Sequence, residues 1–153
     1  MTNIRPDFCL IANRSAEVTE AKFSDDAQLE QNKSISYIGK TIDHALSYRP
    51  LHEDTLHLRA YSDVSFETND DMNSQIGYSI MLCDASHLCH VPDYHSHKSK
   101  LVVISILGVE DNAFTDCFDQ SFMIRHYIAQ LFAREIPLVG MNGSLQIFEA
   151  LNK

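Results

Sequence analysis

Two carboxylate residues, Asp63 and Glu110, stand where the sequence could place metal-dependent chemistry. Asp63 lies in the run Tyr-Ser-Asp-Val-Ser-Phe at positions 61–66, where small polar residues follow a strand-like segment. Glu110 ends the run Ser-Ile-Leu-Gly-Val-Glu at 105–110, near the start of a long apolar segment. Clustered carboxylates can hold two divalent ions about 3.5–4 Å apart and so promote phosphodiester hydrolysis. Such hard oxygen ligands suit Mg²⁺ or Mn²⁺.

Each of these carboxylates also has a plainer interpretation when it is taken singly. Asp63 at a strand end is typical of a solvated turn residue. Glu110 is typical of a carboxylate in the first turns of a helix, where the helix dipole favours negative charge. A catalytic role therefore depends on the two residues lying together.

A second set of residues could bind a metal of a different kind. Its members are cysteines and histidines close together in sequence: Cys83, Cys89, His90, His95 and His97. They lack the Cys-x-x-Cys spacing that is usual in structural zinc sites. The preferred interpretation is that the two cysteines face each other across a hairpin turn and pack as small apolar groups.

Basic and aromatic side chains offer little support for tight nucleic-acid binding. Lys98, Lys100 and Arg125 could touch phosphates, but isolated basic residues on an acidic protein are usually solvated. The chain has 12 Lys and Arg against 21 Asp and Glu, a formal net charge of −9. Strong non-specific binders carry the opposite sign. Asp116 and Asp119 are expected on an exposed helix face, and the phenylalanines nearby are expected in the core.

The pattern of apolar residues predicts the elements that would position these groups. Spacings of three and four predict an amphipathic helix over 34–48, and alternation of apolar and polar residues predicts a first strand from about Asp54. Strands over 76–83 and 88–94 complete a meander, with Pro92 at an edge or bulge. One or two helices over 101–132 follow, facing the core through Leu107, Phe114, Phe118, Phe122, Ile128, Leu131 and Phe132. A strand over 138–141 and a helix capped by Ser144 end an α/β fold with a mixed sheet.

The compartment can also be predicted from the sequence. Residues 1–14 lack the apolar run of a signal peptide, and nowhere are there about 18 consecutive apolar residues, as a membrane span requires. Without a secretory signal, Cys9, Cys83, Cys89 and Cys117 are expected to be reduced thiols. We expect an intracellular protein, cytoplasmic or nuclear, that does not enter a membrane.

A series of short motifs resembles the RNase H domain of copia-type retrotransposon polyproteins of fungi. Beyond the run at 61–66, the matching segments are Asn-Asp-Asp at 69–71, Ser-Gln-Ile-Gly-Tyr at 74–78, Leu-Cys-Asp at 82–84, Cys-His-Val at 89–91, Asp-Tyr at 93–94, Lys-Ser-Lys at 98–100 and Phe-Thr-Asp-Cys-Phe-Asp at 114–119. Arg-Pro-Asp at 5–7 is similar to the sequence that follows the reverse transcriptase in such polyproteins. No single motif is specific; their order and spacing along the chain carry the resemblance.

The resemblance implies an RNase H-like fold and a site for cleaving RNA in RNA–DNA hybrids. Residues 1–53 correspond to the helical connection after the polymerase, and 54–153 to the RNase H-like domain. Asp63 and Glu110 correspond to two of the four acidic metal ligands, which would hold Mg²⁺ or Mn²⁺.

Departures from the family pattern predict that catalysis is lost. Where the family ends its fourth strand in Thr-Asp-Ser, this chain has Asn-Gly-Ser, so that Gly143 stands at the third ligand position. The fifth strand and last helix, with the fourth aspartate, are expected to be missing. An alternative is a co-opted protein-interaction module that uses the uncovered sheet edge. A third hypothesis, a nuclease that recruits Glu149 instead, ranks last because Glu149 lies more than one helical turn beyond Gly143.

Overall fold

The computed structural model describes residues 16, 24–44, 46–65, 74–99 and 105–143, and it divides the chain into two units. The units are Met1–Tyr48 and Arg49–Lys153. The sequence predicted a boundary after residue 53, between a polymerase connection and an RNase H-like domain. Because that boundary depends on the function assigned to each segment, it stays a prediction. Outside the described residues lie the predicted polar turn after 66, the helix after Ser144, Lys100 and Glu149. None of the described helices has both the length and the apolar character needed to cross a membrane.

Helix α1, Asp25–Lys40, is the described element of the first unit. It begins where the Ser24 side chain accepts a hydrogen bond from the backbone N–H of Ala27 at 3.2 Å, and acidic residues fill its first turn. These are strong helix start signals. The predicted bounds of 34–48 are therefore wrong at both ends, because capping, not apolar spacing, sets where this helix begins. Its C-cap is Thr41, so Ile42 lies beyond the helix and is 74% exposed.

The second unit is built on a four-stranded mixed sheet. Its strands are β1 His57–Ser65, β2 Gln75–Cys83, β3 Cys89–Lys98 and β4 Leu138–Asn142. The order across the sheet is β3-β2-β1-β4. The first three strands pair antiparallel, whereas β4 runs parallel to β1. The predicted meander and the predicted α/β class with a mixed sheet are confirmed.

Alternation along β1 places one row of its side chains in the core. Leu58 and Ala60 are almost completely buried and pack in one cluster with Ile80, Cys117 and Ile136. Burying a leucine or isoleucine side chain, as at Leu58 and Ile80, contributes about 1.5–3 kcal/mol. The period of two that predicted this strand is thus also the period of its burial.

Strand β3 is an edge of the described sheet, and it carries Pro92. Proline has no backbone N–H for the sheet ladder, so it is tolerated at edges and bulges. The β2–β3 register also shifts between Ile80 and Leu82. The prediction of an edge or bulge at Pro92 is confirmed.

Helix α2, Ile106–Phe132, is one continuous helix, capped at its start by the Ser105 side chain. It contacts β1, β2 and β4. The residues that it buries are small and spaced by four: Val109, Ala113, Cys117 and Ser121. Small side chains allow the helix axis to lie close to the sheet, and this closeness leaves the larger residues at the flanks.

The predicted core face of α2 is therefore wrong for its larger residues. The exposed fraction is 39% for Leu107, 50% for Phe122, 80% for Leu131 and 38% for Phe132. Phe114 and Phe118 are half-buried. Ile128 does pack against the core cluster.

The turn between β2 and β3 corrects the prediction about cysteines. Cys83 and Cys89 face each other in the antiparallel register and are joined by a disulfide. They are therefore not the reduced thiols that the lack of a secretory signal led us to expect. Their cross-strand positions, with α-carbons 4.1 Å apart, allow the bond directly. Cys117 is a free, buried thiol, as predicted.

Asp84 organises the same turn from a completely buried position. Its carboxylate accepts hydrogen bonds from the backbone N–H groups of His52, Ser86 and Leu88 and from the Ser86 hydroxyl, at 2.6–3.2 Å. The hydrogen bond from His52, followed by those from Ser86, lowers the pKa of Asp84 from 3.8 to about 2. The ionised form is thus the one that the fold holds.

We expect Asp84→Asn to lower stability at neutral pH and to flatten its acid dependence. A folded-state pKa below the unfolded value stabilises the fold above about pH 3.8, and this contribution is lost as pH falls through about 2. Urea midpoints at pH 7, 4 and 2.5 would measure the effect. Asp111→Asn, at an exposed position of α2, is the matched control. Equal pH profiles for the two variants would contradict the prediction.

Candidate functional site

One small cleft of about 120 Å³ lies where the end of β1, the start of α2 and the end of β4 meet. Its lining consists of Ser62, Asp63, Val64, Glu110, Ala113, Asn142 and Gly143. The structure thus gathers Asp63, Glu110 and Gly143, which lie far apart in sequence, around one space. Two of the residues that line it carry a carboxylate.

Asp63 reaches the cleft because β1 continues past the buried core row. The side chain is exposed, and one carboxylate oxygen accepts a hydrogen bond from the backbone N–H of Val64 at 2.9 Å. Opposite Asp63 in the sheet lies Gly77 of β2.

Glu110 is held at the cleft by its neighbour in α2. Val109 is completely buried and packs in a cluster with Ile76 and Ala113, which fixes the start of the helix against β2. Glu110 follows directly and is half-buried. Because Val64 of β1 packs on the same cluster, the helix start and the end of β1 are held together.

The third side of the cleft is the end of β4. Asn142 pairs with Ser62 in the parallel register, and its side-chain amide donates to the Ser62 hydroxyl at 3.4 Å. Gly143 follows at once. A β-carbon added to Gly143 would meet no atom of the described residues within 4 Å. Within the part of the chain that the structure describes, the space beside Gly143 is therefore open.

The donor set of the cleft does not fit a two-metal centre. Among the described residues, no group of three or more His, Cys, Asp or Glu side chains is placed to hold a metal ion. Asp63 and Glu110 supply two carboxylates, and Gly143 supplies no side-chain oxygen. Removing carboxylates lowers both the charge and the ligand number that a hard divalent cation requires.

The zinc site that the sequence analysis considered and did not prefer is ruled out for the two cysteines, because they are not available as ligands. Cys83 and Cys89 are bonded to each other. The Nε2 atom of His90 accepts a hydrogen bond from the backbone N–H of Arg49. His95 and His97 lie together on β3 with ring centres 4.9 Å apart, and His97 Nε2 is 3.5 Å from the Asp116 carboxylate.

The sequence suggested that Arg125 could touch a phosphate, but its guanidinium is hydrogen-bonded within the second unit. Its guanidinium donates to the backbone oxygen of Ile136 and to Glu135, both at 2.6 Å. Lys98 is half-buried at the end of edge strand β3, opposite Gln75. Asp116 and Asp119 are exposed on α2, as predicted.

Sequence reasoning missed two polar contacts in and near this region. Asn142 and Ser62 join β4 to β1 at the cleft. The alternation along β1 could have indicated this contact, because Ser62 lies two residues after Ala60 and therefore on the same, buried face. Farther along the sheet, Tyr78 donates to Asp93 at 3.4 Å. Burial, followed by the charge of Asp93, raises the pKa of Tyr78. Burial also raises the pKa of the Cys117 thiol to about 11, so this cysteine is a poor nucleophile.

Comparison with known proteins adds no relative. No family model matches the chain, and neither a curated protein nor a solved structure was found to be similar to it. Function therefore has to be inferred from the residues that line the cleft and from the motifs in the sequence.

Proposed function

We propose that this chain carries an RNase H-like domain of retroelement origin, related to copia-type polyproteins, that no longer cleaves nucleic acid. The motif series along the sequence is the first support. The second is the mixed sheet, in which β4 lies parallel to a central β1 and α2 covers one face. Such a domain would act inside the cell, in the cytoplasm or the nucleus.

One observation carries the proposal. Asp63, Glu110 and Gly143 come from three separate elements, and the motifs align them with three ligand positions of one ancestral site. All three line the same cleft. An aspartate on a strand and a glutamate on a helix that is distant in sequence thus share one small cleft, as the ancestral site would require.

Loss of activity follows from what the cleft contains. Two carboxylates remain near an open position at Gly143, and metal affinity falls as ligands are removed. Any binding of RNA–DNA hybrids that persists would depend on shape and 2′-hydroxyl contacts. A net charge of −9 keeps such binding weak.

The folded protein is expected to leave a labelled RNA–DNA hybrid intact in Mg²⁺ and in Mn²⁺, because its cleft lacks the third ligand. Gel analysis of the products would measure this. Asp63→Asn is the control, since it removes one of the two remaining carboxylates. Cleavage by the wild type that disappears in Asp63→Asn would show a working nuclease and overturn the proposed loss of activity.

A second candidate function is a protein-interaction module, and it is favoured by exposed apolar side chains. In the sheet that the structure describes, β4 is an edge, and Val139 and Met141 on it are 44% and 43% exposed. Phe122 of α2 is 50% exposed. Edges and apolar patches of this kind are used in pairing with other chains. A pull-down with wild type and Met141→Lys would test this function, which requires a partner that only the wild type retains.

A further inference from the structure

The turn between β2 and β3 holds the first residues of the second unit. We propose that the disulfide between Cys83 and Cys89 is a redox-controlled latch. A dithiol reductant opens it, and the hydrogen bonds between the turn and residues 49–55 are then lost. This latch is independent of the cleft and of its ancestral chemistry.

Three hydrogen bonds tie residues 49–55 to the turn. They run from Arg49 N–H to His90 Nε2 at 3.1 Å, from His52 N–H to the Asp84 carboxylate at 3.0 Å, and from Ala85 N–H to the Thr55 hydroxyl at 3.1 Å. Each bond joins residues 30 or more positions apart in sequence. The turn thus supplies the acceptors for the backbone N–H groups of Arg49 and His52, and it donates to the Thr55 hydroxyl. Within the same segment, Leu51 packs against the core cluster and the Glu53 backbone oxygen accepts from Arg134.

The disulfide lies at the base of this turn, next to two of the groups that accept those bonds. Asp84 directly follows Cys83, and His90 directly follows Cys89. Across the turn, Asp84 N–H donates to the backbone oxygen of Leu88 at 3.0 Å. A covalent bond at this place limits how far the two acceptors can separate. Breaking it allows the strand ends to fray, and both acceptors then move away from their donors.

A reductant can reach one of the two disulfide cysteines more easily than the other. Cys83 is completely buried, whereas Cys89 is half-buried on the edge strand. A reductant thiolate attacks the Cys89 sulfur, the S–S bond breaks, and Cys83 leaves as a thiolate that takes up a proton. The second thiol of the reductant then displaces Cys89 from the mixed disulfide. The products are two protein thiols and the oxidised, disulfide-bonded reductant.

The consequence concerns the junction of the two units. Their boundary falls between Tyr48 and Arg49, so the latched segment begins at the first residue of the second unit. Leu51 packs against the core cluster, so loss of the turn bonds would add at most Arg49 and Pro50 to the connection between the units. At about 3.3–3.6 Å per extended residue, this is roughly 7 Å of additional reach.

Amide hydrogen exchange on the full chain tests the latch directly. Exchange is followed with and without dithiothreitol as the dithiol. The amides of Arg49, His52 and Ala85 are expected to exchange at least about tenfold faster after reduction. Those of Ala60 and Ile80, in the core pairing of β1 and β2, are expected to change less than about twofold.

Two variants sharpen the test. In the double variant Cys83→Ala with Cys89→Ala, the amides are expected to exchange as fast as in the reduced wild type. Addition of dithiothreitol is expected to leave their exchange rates unchanged. Cys117→Ala, which removes the free buried thiol, is expected to respond like the wild type. Unchanged exchange at 49–55 once mass spectrometry shows two new thiols would overturn the latch. Equal acceleration of Ala60 and Ile80 would also overturn it, as would free Cys83 and Cys89 thiols in the air-oxidised protein.

Discussion

Gly143→Asp is expected to raise the affinity of the protein for Mn²⁺ by at least about tenfold, which corresponds to about 1.4 kcal/mol. The new side chain has space, because a β-carbon at Gly143 meets no atom within 4 Å and the glycine does not have a positive φ. Its carboxylate would join Asp63 and Glu110 at one cleft. A third hard oxygen ligand and a third negative charge both favour a divalent cation. Isothermal titration calorimetry with MnCl₂ would measure the change.

The control for this prediction is Gly39→Asp. Gly39 lies in α1, where an added β-carbon also meets no atom within 4 Å. The two variants gain the same charge without a clash, so that only the position of the carboxylate differs. Adding Asp63→Asn to Gly143→Asp is expected to remove most of the gain. If Gly39→Asp binds Mn²⁺ as tightly as Gly143→Asp, the effect is one of net charge and the cleft is not a metal site.

The sheet could be predicted from sequence because its signals are local. Leu58 and Ala60 alternate with polar residues, and the turn after Cys83 separates two strand-like runs. Both patterns follow from the two-residue period of a strand and from turn chemistry. Helix α1 was misplaced for an equally local reason. Its predicted start came from apolar spacing alone, whereas the Ser24 cap and the acidic first turn are the signals that begin a helix.

The face of α2 could not be read from side-chain size. Apolar residues occur around most of this helix, so periodicity alone leaves its orientation open. The sheet selects the row of Val109, Ala113, Cys117 and Ser121, because small side chains allow the closest approach. Phe122 is consequently left at the flank. Which face of α2 packs on the sheet therefore depends on tertiary packing and could not be predicted from the apolar pattern of the helix.

Two features of the turn and cleft illustrate the limits of sequence reasoning about sites. The proximity of Asp63, Glu110 and Gly143 was implied by the order of motifs and not by any spacing. The disulfide was missed because the expected compartment argued against it, and compartment is a weaker constraint than cross-strand position. Cys83 and Cys89 flank a short turn, and antiparallel pairing of the strands then places them directly opposite.

Gly140→Ala is expected to destabilise the second unit by about 1–3 kcal/mol, the usual cost of overpacking. Phe114 and Phe118 of α2 lie over Gly140, which pairs with Ala60. A β-carbon there would lie 2.8 Å from Cζ of Phe118 and 3.3 Å from Cε2 of Phe114. The phenyl rings also contact each other, with centres 4.6 Å apart, and this contact limits how either can turn away. Urea unfolding would measure the change.

Gly77→Ala is the matched control, since it adds the same methyl group to another strand of the same sheet. Its β-carbon would come no closer than 3.8 Å to the backbone oxygen of His95, an ordinary contact, so little change is expected. Phe118→Leu should recover part of the loss in Gly140→Ala, because the two positions are coupled through one contact. Equal stability of the two alanine variants would mean that the Phe118 ring has room to rotate. In that case the approach of α2 to β4 would not be what requires glycine at this position.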